Sequence, residues 1–427
     1  MSARIPKFYR LGKAERLDAL LERAPLDSED LKALESGGLE WSRADKMVEN
    51  CVGVFSLPVG LGLNFLINGR DYLIPMVVEE PSVVAAVSHI AMLTRPHGGF
   101  TADADPSLMI AQVQVVDVPD LNEARVALLN AQAELLRRAD EVHPNLVSRG
   151  GGARDLEVRV FEGEHPMLVV HLIVDCVDAM GANAVNGMAE GIAGRVEELT
   201  GGRVYLRILS NLADQRLARA SLRIPVSALE SPKARMSGEE VARGVIHAYH
   251  FADLDPYRAA THNKGIMNGI DAVAIATGND WRGVEAGAHA YAAQTGRYRS
   301  LTRYWMEGEA LCASIELPLA VATVGGSTNV HPTIKALRKV LGVSSARELA
   351  GVMAAVGLSQ NLGALKALAS EGIQRGHMSL HARSVALNAG ATEDEVPQIA
   401  QQMIDLGEVK LHSAERLLSA LRAGREG

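Results

Sequence analysis

Lys264 stands in the stretch of this chain best equipped for chemistry, Ala260-Thr261-His262-Asn263-Lys264-Gly265-Ile266-Met267-Asn268-Gly269-Ile270-Asp271. The stretch combines an amine, a histidine, two asparagines and two glycines with little apolar periodicity. Each glycine costs about 1 kcal/mol against alanine inside a helix. The segment therefore reads as a backbone bent around a polar pocket, with one ammonium pointing in. A second polar segment follows, Ala276-Thr277-Gly278-Asn279-Asp280-Trp281-Arg282. Together the two bring Lys264 and Asp280 into one neighbourhood, as a polarising acid and its orienting partner. A structural ion pair is the plainer alternative.

Three further segments carry candidate groups. In Glu79-Glu80-Pro81-Ser82, Pro81 suits the first turn of a helix, and a carboxylate just before it complements the helix dipole. Adjacent carboxylates also raise one another's pKa, which would leave one able to act as an acid. Asp178-Ala179-Met180-Gly181-Ala182-Asn183, with Asn186 a turn later, has the small residues that let a phosphate approach free amides at a helix N-terminus. A plain strand-to-helix turn capped by Asp reads equally well there. Gly376-His377-Met378-Ser379-Leu380-His381 places two histidines four apart, but the glutamate of a zinc HExxH motif is replaced by Met378, so no metal is expected. A histidine after a glycine better suits an acid carried in by a closing lid.

The elements that must position these groups follow from patterning. Lys13 to Leu39 reads as short polar helices. Leu61 to Val78 reads as a hairpin about Asn68-Gly69, followed by a helix from about Ser82 to Leu93. Gln112 to Val118 is a strand, Asn122 to Glu141 a helix, Leu156 to Phe161 and Met167 to Asp175 strands, Asn183 to Leu199 a helix, and Arg203 to Leu209 a strand. That order is ferredoxin-like. No GxGxxG follows a strand, so a Rossmann domain is not indicated. Helices dominate from Ser237, with patterning over Val284 to Ala293, Ala346 to Ala355 and Gly363 to Ser370, interrupted by a hairpin over Thr302 to Leu319. Gly372 and Gly376 bracket a possible hinge before a helical appendage. The expected class is α+β. A large, mostly helical domain (1–108 and 218–375) receives an inserted small domain (109–217) and carries a C-terminal flap (376–427).

The 427 residues are 48% hydrophobic and 22% charged, as in an ordinary globular protein. The 43 basic and 51 acidic residues give net −8, which argues against nucleic-acid or anionic-membrane binding. Cys51, Cys176 and Cys312 are scattered, which fits a reducing cytoplasm. No signal peptide and no membrane span are expected.

Taken in order, Glu79 to Ser82, Asp178 to Asn183, Asp255-Pro256-Tyr257-Arg258, Thr261 to Gly269, Ala276 to Arg282 and Gly376 to His381 resemble the motifs of class II 3-hydroxy-3-methylglutaryl-CoA (HMG-CoA) reductases over nearly the whole chain. The resemblance implies reduction of HMG-CoA to mevalonate by two nicotinamide hydrides, through mevaldyl-CoA and mevaldehyde. It implies a non-Rossmann small domain for the cofactor and an active site at a homodimer interface. It assigns catalysis to Glu80, Lys264, Asp280 and His377. It places Ser82, Arg258, Asn268 and Gln360 at the HMG moiety, Arg10 at CoA, and Asp178, Met180, Gly181 and Asn183 in the dinucleotide motif. Where an NADH-preferring relative has an aspartate before the glycine loop, this chain has His143. Asp140 and Glu141 lie nearby and can hold the ribose, whereas His143 or Arg149 would welcome a 2′-phosphate. NADH is the expected cofactor, with NADPH the alternative. The competing functions are a Schiff-base lyase using Lys264 and a non-catalytic nucleotide sensor. The sensor reading expects one of the four catalytic positions to be replaced, and none is.

Overall fold

The N-terminal alternation of apolar residues resolves into two strands about an Asn-Gly turn. Helices α1 (Lys13–Leu21), α2 (Ser28–Ser36) and α3 (Trp41–Met47) precede β1 (Val59–Ile67) and β2 (Arg70–Val77). Asn68 and Gly69 have φ of 50° and 76°, the left-handed pair that matches a tight hairpin to the strand twist. Then come α4 (Val83–Thr94), β3 (Phe100–Ala104), β4 (Leu108–Val116), α5 (Leu121–Asn130), α6 (Gln132–Val142), α7 (Pro144–Val147), β5 (Gly152–Phe161), β6 (Met167–Asp175), α8 (Ala182–Thr200) and β7 (Arg203–Leu209). The chain continues through β8 (Leu217–Pro225), α9 (Gly238–Leu254), α10 (Pro256–Ala276), α11 (Trp281–Ala292), β9 (Thr302–Glu307), β10 (Ala310–Pro318), α12 (Pro332–Leu341) and α13 (Ala346–Ala369). It goes on to α14 (Ile373–Asn388), α15 (Val396–Asp405) and α16 (Leu411–Ala423). This computed structural model describes residues 2–232, 234–326, 330–370 and 372–423, with backbone alone for 373–380.

Two sheets organise the chain. The smaller has the order β5-β6-β4-β7 and is antiparallel throughout. Its first and third strands are central and its second and fourth form the edges, the ferredoxin-like arrangement. Helices α5, α6 and α8 pack with it around Met109, Val113, Leu168, Leu172, Met188 and Ile192. The larger sheet has the order β2-β1-β3-β8-β10-β9, with one parallel pairing between β1 and β3. Its core joins Phe65, Ile74 and Met76 from the strands to Ile90 of α4, Ile270 of α10 and Met353 of α13. The C-terminal helices have a separate core that includes Ala386, Ile399 and Met403.

Four local expectations need correction. The Lys264 segment is not a bent loop but the middle of the 21-residue helix α10. Its glycines are tolerated because tertiary packing overrides propensity: a Cβ on Gly269 would meet Val356 Cγ1 and Gln360 Cβ of α13 at 3.1 Å. Ala346–Ala355 and Gly363–Ser370 belong to one 24-residue helix, α13, which Ser370 caps and which is buried without a break from Leu349 to Leu362. By length and composition α13 could cross a membrane, but it packs against α4, α9, α10, β3 and β8. The stretch Asn122 to Glu141 breaks at Ala131, whose φ and ψ of −91° and 3° leave the helical region, into α5 and α6, which both pack on α8. Finally, Gly376 lies inside α14, and only Gly372, with φ 81°, precedes that helix as a break.

Helices α10 and α13 cross closely at Gly269 and Gly357. A Cβ on Gly357 would stand 2.8 Å from Ile270 Cδ1 and 3.2 Å from Ile266 Cγ2. Gly357→Val should therefore push the helices apart and cost about 2–3 kcal/mol, read as a lower urea midpoint. Unchanged stability would show that the crossing has slack.

Candidate active site

The polar residues of α10 divide by helix face. Thr261 and Asn263 flank His262, and His262 and Asn263 point into the core. His262 Nε2 lies 2.8 Å from both Thr302 Oγ1 and Ser300 Oγ. Thr302 and Tyr304 donate to Asn361 Oδ1 of α13 at 3.0 and 2.8 Å. Asn263 donates to the Arg299 carbonyl at 2.8 Å and accepts from Leu301 N at 3.1 Å. Burial, with the nearby Arg258 charge, holds the His262 imidazole down at about 3, so it stays neutral. These residues fix the helix and are not available for acid–base work.

Lys264, Asn268 and Asp271 occupy the other face at i, i+4 and i+7 spacing. Lys264 Nζ donates to Glu80 Oε2 at 2.6 Å, and Asn268 Nδ2 donates to the same oxygen at 3.3 Å. The Lys264 and Glu80 side chains are 59% and 40% exposed, so solvent or a ligand reaches the pair. Glu79, Glu80, Asn268, Asp271, Asn279 and Arg282 help to line a cavity of about 590 Å³. Gln360 is buried beside Gly269, and its Oε1 has no hydrogen-bond partner among the described residues.

Glu80 reaches this position through an unusual turn. The helix begins at Val83, and its cap is Ser82, a non-glycine residue at φ 74° with no side-chain cap bond. Pro81 thus precedes the cap instead of occupying the first turn. The left-handed cap turns the chain sharply between β2 and α4, and such residues cluster at functional sites.

The expected Lys264–Asp280 contact is not formed. Lys264 lies roughly three turns, about 18 Å of rise, from the end of α10. Asp280 stands past that end, caps α11 by accepting from Gly283 N at 3.3 Å, and lies 3.4 Å from Arg282 Nη2. Glu80 is the carboxylate that meets the lysine. Arg258 is half-buried, with its pKa lowered by burial, and has no hydrogen-bond or ion-pair partner among the described residues. Arg10 ends an exposed turn over the Tyr9 ring and does not line the cavity. His377 lies in α14, and its side chain falls outside the described residues.

The second candidate region surrounds the start of α8. Gly181, at φ 98°, caps the helix without a side-chain bond, and a Cβ there would strike Cys176 Sγ. The first amides of a 19-residue helix are therefore open beside exposed Asn183, which fits an anionic group such as a dinucleotide diphosphate. Asp178 does not cap α8. Its Oδ1 accepts from Ala346 N, the first residue of α13, at 2.8 Å, and its carbonyl accepts from Thr323 N at 2.9 Å. Asn186 accepts from Leu209 N of β7 at 2.8 Å. Asp140 is also committed: its Oδ1 accepts from Ala153 N at 2.7 Å. Glu141 is exposed, and the His143 ring packs over Gly187 of α8.

Sequence reading missed two groups. Arg216 is buried and donates to the carbonyls of Ala179, Met180 and Val321 at 3.3, 3.4 and 2.5 Å. Burial lowers its pKa to about 10. Asp271 faces Glu285 of α11, and burial, then that neighbour, pushes it up to about 8. A lone arginine and an Asp–Glu pair fourteen residues apart leave no local pattern to find. Another cavity, of about 510 Å³ and lined in part by Arg219, Arg299, Asp253 and Glu316, is internally neutralised: Arg219 pairs with Glu316 at 2.6 Å and Arg299 with Asp253 at 2.7 Å.

Comparison with known proteins gives this arrangement a context. The profile of the hydroxymethylglutaryl-coenzyme A reductase family matches residues 13–382. The 3-hydroxy-3-methylglutaryl-coenzyme A reductase of Archaeoglobus fulgidus is 52% identical over 99% of this chain and 96% of its own length. A probable enzyme of the same name from Borreliella burgdorferi is 34% identical over 79% of this chain and 77% of its own. Among solved structures, a reductase of that name from Streptococcus pneumoniae superposes with a TM-score of 0.83 at 44% identity, over 97% of this chain and 99% of that one. A class II form from the same organism, bound to NADPH in open conformations, superposes with a TM-score of 0.81 at 45% identity, over 96% of this chain and all of that one. With matches of this extent, the chain belongs to the hydroxymethylglutaryl-coenzyme A reductase family, in its class II form.

Proposed function

We propose that this protein interconverts HMG-CoA and mevalonate plus CoA through mevaldyl-CoA and mevaldehyde, using two equivalents of a nicotinamide cofactor. The observation that carries the reading is the half-exposed Lys264–Glu80 pair, 2.6 Å apart, whose carboxylate lines a cavity. The names of the relatives support it.

The cofactor, when bound, supplies the hydride. Each addition to a carbonyl leaves negative charge on oxygen, and the Lys264 ammonium stabilises it, the more strongly once bound substrate and a closed flap exclude water. Glu80, already bonded to that ammonium, moves the proton to or from this oxygen. Asn268 holds the Glu80 carboxylate in place. Ser82, Arg258 and Gln360 hold the HMG moiety: the unpartnered Arg258 guanidinium suits its carboxylate, and the orphan Gln360 Oε1 suits a hydroxyl donor. Arg10 meets CoA, and His377 protonates the departing thiolate. Gly181, Met180 and Asn183 receive the diphosphate at the open end of α8. Asp178 and Asn186 act beneath it, as ties that hold its shape. This division gives residues 109–217 to the cofactor and 376–427 to a flap.

We place the active site in a homodimer in the cytoplasm. Val52 and Phe55 are 96% and 88% exposed in the strandless segment leading to Leu57, which lines the Glu80 cavity. A second copy covering that segment would bury them and give Asp280 a route to the other lysine. All three cysteines are free, in keeping with a reducing compartment. Sedimentation as a monomer at assay concentration would end the dimer reading.

Three outcomes are expected. Lys264→Ala should reduce turnover of both HMG-CoA and mevaldehyde by roughly 10²–10³ or more with an unchanged fold. Near-normal turnover removes this lysine from the mechanism, and borohydride trapping of substrate on Lys264 without a nicotinamide requirement would favour a lyase.

His377→Gln should slow HMG-CoA reduction by about 10²-fold and mevaldehyde reduction much less, because the aldehyde releases no thiolate. Equal losses on the two substrates would point to lid or cofactor positioning.

NADH is the preferred cofactor in this reading, because exposed Glu141 would accept the ribose hydroxyl and repel a 2′-phosphate. Glu141→Gln should then shift the NADH-to-NADPH ratio of kcat/KM toward NADPH without moving the unfolding midpoint. Asp140→Ala should instead cost about 1 kcal/mol of stability and weaken both cofactors alike. An unchanged ratio in Glu141→Gln moves the discrimination to His143 or Arg149.

A further inference from the structure

Asp271 is a carboxyl that nothing in the proposed reaction uses. It sits on the cavity face of α10, one turn beyond Asn268, and lines the same cavity as Glu80. Its Oδ1 is sealed from solvent and has no hydrogen-bond donor. Its carboxyl lies within hydrogen-bonding reach of the Glu285 side chain of α11. Two carboxyl groups in such contact cannot both be ionised away from water without strong repulsion, and one proton between them turns repulsion into an O–H···O bond. An ionised Asp271 would also leave Oδ1 as a buried anionic oxygen without a partner, a costly state.

Among the described residues, the remaining surroundings do not offer a counter-charge that is free of another partner. From α11, Glu285 and Arg282 face this region, and Arg282 lies against Asp280 at 3.4 Å. The loop before α4 contributes two more carboxylates, Glu79 and Glu80, and α12 contributes Ile334. On α10 itself the cation nearer in sequence is Lys264, which is held by Glu80, and Arg258 lies more than a turn further toward the start of the helix. Beyond Glu285 stands Tyr298, whose phenol is bonded to His289 Nδ1 at 2.7 Å.

We propose that Asp271 is a positioning residue of this site: it is protonated at neutral pH, donates to Glu285, and so keeps another negative charge out of the wall that carries Glu80, the partner of Lys264. The cavity would otherwise present a further anion to a substrate that brings its own carboxylate, and would compete with it for the Lys264 ammonium. When Asp271 releases its proton to solvent at higher pH, the O–H bond to Asp271 is broken, the pair becomes a dianion, and substrate binding weakens. The kinetic consequence rests on the function proposed above, whereas the protonation state does not.

Two sets of measurements test the two parts separately. In difference infrared spectra of the whole protein between neutral and alkaline pH, the wild type should show the carbonyl stretch of a protonated carboxyl that disappears near pH 8, in line with the shift from 3.8 to about 8. Asp271→Asn should lack the band, and Glu285→Gln should move its titration to lower pH. Thermal stability gives a second readout. The native state keeps this proton while the unfolded chain loses it above about 3.8, so wild-type stability falls as pH rises from there to about 8. The Tm advantage of Asp271→Asn over the wild type should therefore widen across that window and level off above it. A wild type without the band, or a Tm difference that does not change with pH, overturns the proposal whether or not the protein reduces HMG-CoA.

For the kinetic part, kcat/KM for HMG-CoA should fall roughly tenfold per pH unit above the titration in the wild type, mainly through KM. Asp271→Asn should keep its neutral-pH value there. An alkaline limb identical in the two proteins overturns the positioning role. Absence of HMG-CoA turnover in a wild type that shows the band would count against the proposed function and leave the protonated pair standing.

Discussion

The rotational setting of α10 is the constraint on which the site depends. One residue of rotation is about 100°, enough to carry Lys264 away from Glu80 and His262 out of the core. What prevents it is the buried chain of hydrogen bonds from His262 through Thr302 and Ser300 to Asn361 and Tyr304. A buried network is strong only when its members are satisfied, and most of these are: Asn361 takes two donors, and Asn263 both donates and accepts. His262 Nδ1 is the exception. The network reaches β9 and α13 at once, so α10 cannot turn without breaking bonds to two neighbours.

This explains how far the sequence could be read. Strands and hairpins came through because their signals are local: Asn68-Gly69 demands a tight turn, and the second half of β4 alternates between buried and half-buried positions. The strand order of the smaller sheet then follows from a known pattern. The Lys264 segment misled because its polar residues serve two purposes on two faces, and a helix with both faces polar has no apolar stripe to reveal it. A different cause split α13, which is apolar on every face and carries its polar residues inside the core. Ser359, Gln360 and Asn361 look like a loop, yet Ser359 donates to the Val87 carbonyl at 3.0 Å and Asn361 is bonded as above, both wholly inside the core. The motif residues were nonetheless visible as types. Glu80, Lys264 and Asn268 do meet. Asp280 stands apart from them within one chain, because nearness in sequence is not nearness across a helix end.

The start of α8 illustrates a different limit. Asp178, Gly181 and Asn186 stood out together, but the structure gives them unlike tasks. Gly181 turns the chain where no side chain fits. Asp178 and Asn186 spend their side chains on backbone amides of α13 and β7. Arg216 completes the arrangement from below, holding the carbonyls of residues 179 and 180. The hydrogen bonds of this guanidinium go to neutral carbonyls, and the opposite charges of Asp175 and Asp178 act on it only from a distance. It therefore lends positive potential to the same place that the open amides of α8 make attractive to an anion. Such a residue leaves no mark in the sequence, because its partners are main-chain atoms that any residue supplies.

Both halves of the site are referenced to α13. Its first amide, Ala346 N, is held by Asp178 from the segment before α8. Its middle, at Val356, Gly357 and Gln360, packs against Gly269, Ile266 and Ile270 of the helix that carries Lys264. The distance between these two attachments is roughly fourteen residues of helix, about 21 Å of rise, and it does not stretch, because a buried helix is fixed by its own hydrogen bonds and by close packing on every side. The spacing between the proposed diphosphate end of the cofactor and the lysine is thus set by a rigid core element and not by the loops that display the reacting groups. That is a physical reason for so apolar a helix to bear buried polar groups at its centre. Ser359 and Asn361 register α13 against α4, α10 and β9, and a uniformly apolar helix in the same slot would pack as tightly but could slide.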